Sequence, residues 1–333
     1  MADTSVHGRP TLLLTRSEVR RLLPLSDCVV AVEKAFRRNA EAKDPPPRLL
    51  GLHVGDGGFH AKAAVLGEYF ATKLNANFPL NPGRTGLPTI QGVIILADTR
   101  GGRVLAVLDS SEITVLRTAA ATVLAARYLS RPGASVATIC GCGTQGAIHM
   151  EALTSALGIG RVFAYDADRA RSQDFARRQR STVGVEVEPV DDLRRAVRES
   201  DVVVTCTPAR EILVHSVDVQ PGTFVAAVGA DSEHKQELDP GLLARGTVVV
   251  DSLEQCATIG ELHHALDAGA VTRDSVHAEL GQLIAGLRSG RTSAEEITIF
   301  DNTGTALQDV AAAAMVYERA LAAGADRVLD FSA

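Results

Sequence analysis

The sequence predicts an α/β protein of two domains, an α+β domain first and a doubly wound parallel sheet after it. Three observations carry this expectation. From Ser135 onward short β-rich apolar runs alternate with helical stretches, the rhythm of a parallel sheet covered by helices on both faces. The stretch from Arg48 to Leu108 reads instead as strands closed by Gly-rich turns, with two helices before it. At 333 residues, 46% hydrophobic and 22% charged, the chain is long enough for two cores and has no long polar tract.

In chain order, Leu12 to Leu14 is a short strand, and Thr15 or Ser17 caps the first of two helical stretches running to Ala42. Asp44-Pro45-Pro46-Pro47 breaks that pattern. Phe59 to Leu66 and Tyr69 to Leu74 are strands joined through Gly67-Glu68, and Pro79 to Leu87 is a loop. Gln91 to Asp98 and Arg103 to Asp109 form a hairpin, and Ile113 to Leu129 an Ala-rich helix ending before Arg131-Pro132-Gly133. Residues 1–130 are expected to make the first domain, with 305–333, led by a helix from Thr305 to Ala323, returning to it. Residues 131–304 make the second domain, with strands at Ser135–Cys140, Arg161–Tyr165, Val185–Val187, Asp201–Thr205, Thr223–Val228 and Thr247–Asp251.

Directly after the Ser135–Cys140 strand comes Gly141-Cys142-Gly143-Thr144-Gln145-Gly146, and then a helix. This is G-x-G-x-x-G in the context that a dinucleotide site requires. The first glycine allows a tight turn, the second lets a pyrophosphate approach the backbone, and the third lets helix and strand pack closely. The N–H groups at the helix start face the phosphates, aided by the helix dipole. Asp166 ends the next strand, where an acid binds the ribose hydroxyls. An ordinary turn, with Asp166 as a helix cap, would need strand, glycines, helix and acid to coincide. The fold expected of 131–304 is therefore a Rossmann fold. A carboxylate at 166 favours NAD(H), while Arg169 and Arg171 keep NADP(H) open.

Composition excludes other classes. The net charge is −6, no basic cluster is present, tryptophan is absent and aromatics are 4%, so no nucleic-acid partner is expected. Cys28, Cys140, Cys142, Cys206 and Cys256 are odd in number and lack zinc-ribbon spacing, which reads as reduced thiols in the cytoplasm and no metal site. No signal-like h-region or membrane-length apolar run is seen, so a soluble protein without a membrane partner is expected.

Arg48, Lys62, Lys73 and Arg117 precede the glycine motif. Any one of them can be a solvated surface charge. Lys73, inside a strand-like run, and Arg117, inside an otherwise apolar helix, call for an anion or a carboxylate partner. Together with their surroundings these residues resemble the ornithine cyclodeaminase/μ-crystallin family over nearly the whole chain. The resemblance rests on Lys73 with Asn81-Pro82, on Gly86-Leu87-Pro88-Thr89-Ile90-Gln91-Gly92 and on Thr114-x-x-Arg117-Thr118-Ala119-Ala120. It continues through Gly141 to Gln145, Gly229-Ala230-Asp231 with Lys235 and Glu237-Leu238, and Phe300-Asp301-Asn302-Thr303-Gly304.

The resemblance implies a homodimer joined through its first domains, which also bind substrate, and a role for each matched residue. Arg48 and Arg117 correspond to a clamp on the substrate α-carboxylate, a task suited to guanidinium forks. Lys73 corresponds to the lysine beside the reacting Cα, and Asp231 to the acid that handles amine and water protons. Lys73, Asp231 and Arg117 thus form the implied catalytic set. Thr89 and Thr118 line the nicotinamide side, and Thr144 and Gln145 hold the pyrophosphate. Gly141, Gly143, Gly146, Asp166, Arg171, Thr205, Val228, Gly229 and Lys235 complete the cofactor set with Asn302, which stands where the family commonly has serine.

The family chemistry is hydride transfer between an amino acid Cα and nicotinamide. Cyclodeaminases of ornithine or lysine recognise a distal ammonium with an acid in a Met-Pro segment ahead of the lysine. Here that segment is Gly57-Gly58-Phe59-His60-Ala61-Lys62, without either feature. On a strand His60 and Lys62 share a face, which is either a cationic pocket wall repelling an ammonium group or a solvent face. The resulting expectation is an NAD(P)H-dependent imino acid (ketimine) reductase or amino acid dehydrogenase for a small or acidic substrate, of the alanine or iminosuccinate type. A cyclodeaminase releasing ammonia is the alternative, and a non-catalytic NAD(P)-binding μ-crystallin-like protein the second.

Overall fold

A computed structural model describes residues 10–331. The first residues of the expected 1–130 domain and the last two of the 305–333 segment lie outside them. The chain begins with β1 (Thr11–Leu14), α1 (Arg16–Leu22) and α2 (Leu25–Ala40), then β2 (Arg48–Val54), β3 (Gly57–Leu66) and β4 (Tyr69–Asn77). After α3 (Asn81–Arg84) come β5 (Ile90–Asp98), β6 (Val104–Asp109) and α4 (Ser110–Leu129). The second series runs β7 (Val136–Cys140), α5 (Thr144–Leu157), β8 (Arg161–Tyr165), α6 (Arg169–Val183), β9 (Glu186–Pro189), α7 (Leu193–Arg198) and β10 (Val202–Thr205). Next are β11 (Arg210–Val214), β12 (Phe224–Ala227), β13 (Gln236–Leu238), α8 (Pro240–Arg245) and β14 (Thr247–Val250). Then follow α9 (Leu253–Ile259), α10 (Glu261–Asp267), β15 (Ala278–Glu279), α11 (Leu280–Ile284) and β16 (Thr298–Asp301), and last α12 (Ala306–Ala322) and β17 (Val328–Leu329).

The chain divides into two compact units. The described residues up to Arg117 and those from Thr305 on form one, and Thr118–Gly304 forms the other. The division falls inside α4, a helix without composition change, so the sequence signals a break only at its end, near residue 130.

The first unit is built on a sheet of order β17-β1-β6-β5-β4-β3-β2, antiparallel from β2 to β6 and parallel between β1 and β6. Thr15 starts α1, its backbone N–H donating to Glu18 Oε2 at 2.8 Å in a capping box. Cys28, Val29, Val32, Ala35 and Phe36 make the buried stripe of α2, at the spacing that a helix needs to bury one face. α12 packs on α2 and across β3 and β4. It covers the face that carries Lys62, Ala64, Ala71 and Lys73. Registers put Leu50, Leu52, Phe59, Leu74, Val93 and Ile95 on the other face, where all are exposed.

The second unit is an all-parallel sheet of order β15-β14-β16-β12-β10-β7-β8-β9. Its central strands are buried throughout, as two-sided coverage by helices demands. From β7 the chain winds outward to β9 and then returns to β10 on the other side of β7, making a switch point between β7 and β10. Two strands of this sheet are not among those expected from the sequence: β16, whose last two residues begin the Phe300–Gly304 motif, and β15, only two residues long. The one-turn α3 lies within the expected Pro79–Leu87 loop. Among the described residues no helix is long and apolar enough to cross a membrane.

Candidate active site

In the second unit, the glycine turn shows a separate local reason for each glycine. Gly141 adopts φ +107°, closed to most side chains, and a Cβ there would lie 2.9 Å from the Cys206 carbonyl oxygen. At Gly143, the N-cap of α5, a Cβ would meet no atom within 4 Å, so its backbone is open to a ligand. At Gly146 a Cβ would fall 2.1 Å from the Gly141 carbonyl oxygen, which makes it the packing glycine. Asp166 follows β8. Its Oδ2 accepts from Cys142 N–H and its Oδ1 from Asp168 N–H, both at 3.0 Å. A cleft of about 590 Å³ opens beside this turn, lined among others by Gly143, Thr144, Arg171, Phe175 and Arg178.

The remaining cofactor candidates of this unit follow adjacent parallel strands. Thr205 ends β10, Val228 and Gly229 follow β12, and Asn302 follows β16. Ligands of open parallel sheets bind at these carboxyl ends. Asn302 is buried, and neither side-chain atom of its amide has a partner, nor has Gln145 Oε1. Buried amides are ordinarily hydrogen-bonded, so these orphaned groups, with the open Gly143 backbone, fit a bound dinucleotide. Thr118 is buried on α4. Lys235 Nζ donates to Asp231 Oδ1 at 2.6 Å.

One residue of the resemblance, Glu237, carries no role in it and gains one from the structure as a brace of this site. Glu237 is fully buried on β13, and its carboxylate accepts from Thr207 N–H, Thr207 Oγ1 and Gly229 N–H at 2.7, 2.7 and 2.9 Å. It thereby ties together the loops after β10 and β12. Burial raises its pKa above the ordinary carboxylate value against these donors.

In the first unit, Lys62 and Lys73 are cross-strand neighbours of β3 and β4, 6% and 3% exposed. The solvent-face reading of Lys62 is thereby overturned, because α12 covers that face. His60 shares it and is half-buried. Lys73 Nζ lies 2.7 Å from Asp309 Oδ2, and Arg117 Nε 3.2 Å from Asp309 Oδ1. Arg117 Nη1 also donates to Gln308 Oε1 at 3.2 Å. Three buried cations therefore surround one carboxylate. Arg48, first residue of the edge strand β2, is exposed and in register with Ala63, which puts its Cβ on the face opposite Lys62 and Lys73. The pleat of the strand thus starts its side chain away from the face that carries Lys73. Thr89 precedes β5 in the same unit, its carbonyl accepting from Phe78 N–H.

Burial drives the Lys73 pKa down to about 7; Asp309 opposes this, while Arg117 and Lys62 add to it. Burial alone would raise Asp309, but Lys73, Arg117 and Lys62 outweigh it and hold its carboxyl below the ordinary value. Burial pushes the neighbouring Cys28 thiol on α2 up to about 12. At neutral pH Lys73 can thus hold or release a proton beside a permanent guanidinium, which suits a carboxylate ligand carrying a nitrogen that changes protonation.

A profile described as the ornithine cyclodeaminase/mu-crystallin family matches residues 9–324. The chain is 42% identical to an alanine dehydrogenase of Archaeoglobus fulgidus over 312 residues, 93% of this chain and 95% of that one. It is 35% identical to an iminosuccinate reductase of Paracoccus denitrificans over 320 residues, 93% of this chain and 96% of the relative. Among solved structures, an archaeal alanine dehydrogenase dimer with bound NAD superposes with a TM-score of 0.93 at 40% identity. That match covers 97% of this chain and all of the other.

Proposed function

The chain belongs to the ornithine cyclodeaminase/mu-crystallin family, and from that premise we propose that it is an NAD(P)H-dependent imino acid reductase. In reverse it is an amino acid dehydrogenase, with hydride transfer at Cα of a small or acidic amino acid. The observation that carries this reading is the buried set Lys62, Lys73 and Arg117 around the single carboxylate of Asp309. Its excess positive charge suits an anionic substrate and repels the distal ammonium of ornithine or lysine.

In this reading Arg117 holds the substrate carboxylate. Lys73 gives a proton to the imine nitrogen or takes it back from the amine. Arg48 completes the carboxylate clamp, which requires its side chain to reach around the edge of β2. Asp231, oriented by Lys235, handles a further proton. NAD(H), when bound, supplies or accepts the hydride. Asp166 favours NAD(H) because its carboxylate accepts ribose hydroxyls and repels a 2′-phosphate.

The exposed apolar face of β2 to β5 supports a homodimer in which a second copy covers it, and the dimeric alanine dehydrogenase relative agrees with that. The first unit is then the substrate-binding and dimerisation domain and the second the cofactor domain. Five free cysteines suit a reducing, cytoplasmic setting. The test is NADH oxidation with pyruvate or oxaloacetate plus ammonia, glyoxylate plus methylamine, and cyclic imines, alongside ornithine and lysine with NAD. Ammonia release from the diamines without turnover of any imine refutes the proposal.

A further inference from the structure

Asp309 has no part in the chemistry above, yet it lies at the centre of the cation cluster. It comes from α12, Lys73 from β4 and Arg117 from α4, so its two oxygens join three elements at one point. It is 1% exposed. A carboxylate so deeply buried is costly, and simple stabilisation is a weak reason to keep one, since an apolar replacement of a whole buried ionic group is often neutral or better.

We propose that Asp309 is a positioning residue that fixes Lys73 beside Arg117 and sets the pH at which Lys73 exchanges its proton. The charged groups around Lys73 come from every side: Lys62 on β3, Arg117 on α4, Asp309 on α12, with the Cys28 thiol on α2 beside the latter two. Cys28 is neutral in the working range, because its own pKa is pushed far up. Lys62 and Arg117 favour loss of the Lys73 proton, and so does burial; Asp309 favours its retention. Without Asp309 the ammonium has no close counter-ion and three cations crowd one buried space. With it, Lys73 titrates near neutrality, where a group must exchange protons to serve both directions of an imine–amine reaction. The geometry adds orientation: a contact of 2.7 Å to Oδ2, with Oδ1 held by Arg117, fixes the ammonium against α12 with the guanidinium on the same carboxylate.

The inference rests on the reading of Lys73 as the proton-carrying group, and the experiment separates the two. The pH profile of kcat/KM for imine reduction is measured for the wild type, Lys73→Arg, Asp309→Asn and Asp309→Glu, with melting temperatures as a check on folding. Reduction needs the ammonium form, so the wild-type rate falls as pH rises through about 7. In Asp309→Asn the loss of the opposing charge lowers the Lys73 pKa further, and that limb moves down by about 1–3 units. Each unit lowers the rate above the limb roughly tenfold. Asp309→Glu keeps the charge and holds the limb within about half a unit of the wild type, even where the longer side chain lowers the maximal rate. A limb that stays in place in Lys73→Arg overturns the reading of Lys73 and this inference with it. A limb present in the wild type but unmoved in folded Asp309→Asn overturns the inference alone. If Asp309→Asn does not fold, Asp309→Glu decides: a limb displaced by more than one unit there shows that the charge is not what sets it.

Discussion

Replacing two glycines of one turn by alanine separates ligand contact from packing. At residue 143 the φ of −93° and ψ of −160° are open to alanine, and the new methyl meets no atom within 4 Å. The fold loses only the difference between two N-cap residues, about 0.5–1 kcal/mol. A pyrophosphate approaching that backbone meets the methyl, and NADH affinity should fall at least about tenfold, the equivalent of ~1.4 kcal/mol. At residue 146 the methyl falls 2.1 Å from the Gly141 carbonyl oxygen and 3.0 Å from Ile139 Cγ2. A carbonyl in a tight turn cannot swing aside as a side chain does, so helix and strand must separate by roughly 1 Å or more. Overpacking against a backbone oxygen at 2.1 Å costs about 2–3 kcal/mol, the upper part of the usual range, of which alanine's better helix propensity offsets about 1 kcal/mol. The net loss of about 1–2 kcal/mol corresponds to roughly 2–8 °C in the melting of this unit. Thermal melts and NADH fluorescence titrations on both variants read the two effects apart. Gly143→Ala with unchanged NADH affinity refutes the assignment of that glycine to the pyrophosphate; Gly146→Ala with an unchanged melting temperature refutes the packing argument.

Lys73→Ala and Arg117→Ala should each lower turnover by about 10²-fold or more, with NADH affinity little changed in Lys73→Ala; near-normal steady-state rates remove the residue from the catalytic set. The wild type should bind NAD(H) more tightly than NADP(H), and Asp166→Ala should erode that difference, as paired titrations would report. A tenfold wild-type preference for NADPH, about 1.4 kcal/mol, contradicts the role given to Asp166. Lys62→Glu places a second carboxylate in the cation cluster, so kcat/KM should fall at least about tenfold more for an imino dicarboxylate than for the imine of pyruvate; equal losses for both substrates count against Lys62 as a charge-selecting residue.

The glycine turn was legible because its reasons are local. Strand, turn and helix follow one another in the chain, and each glycine answers to an atom a few residues away or to open space. The face shared by His60 and Lys62 was legible too, since alternation along a strand needs no partner. Which way that face points was not, because α12, from the far end of the chain, decides it. Asp309 was the hardest to see. It is one acid in an Ala-rich helix, 192 residues from Arg117 in sequence, and nothing in its neighbourhood marks it as the anion that two cations need. The exposed start of β2 carries the opposite lesson: the resemblance implied a role for Arg48, while the register of its strand, set only in the fold, turns its Cβ to the face opposite Lys62.

The return of α12 to the first sheet also fixes when this protein can begin to work. On the ribosome β1 to β6 emerge early, but the helix that covers their inner face and supplies Asp309 is made only after the whole of Thr118–Gly304. At about 5–20 residues per second this leaves the first sheet waiting on the order of ten seconds or longer. During that interval Lys62, Lys73 and Arg117 have neither their cover nor the Asp309 carboxylate, and the strands present open apolar surface on both sides. The second unit, continuous in sequence, can fold meanwhile. Nascent chains stalled before residue 305 should therefore bind dinucleotide and lack turnover, and the first unit is where chaperones have the most to hold.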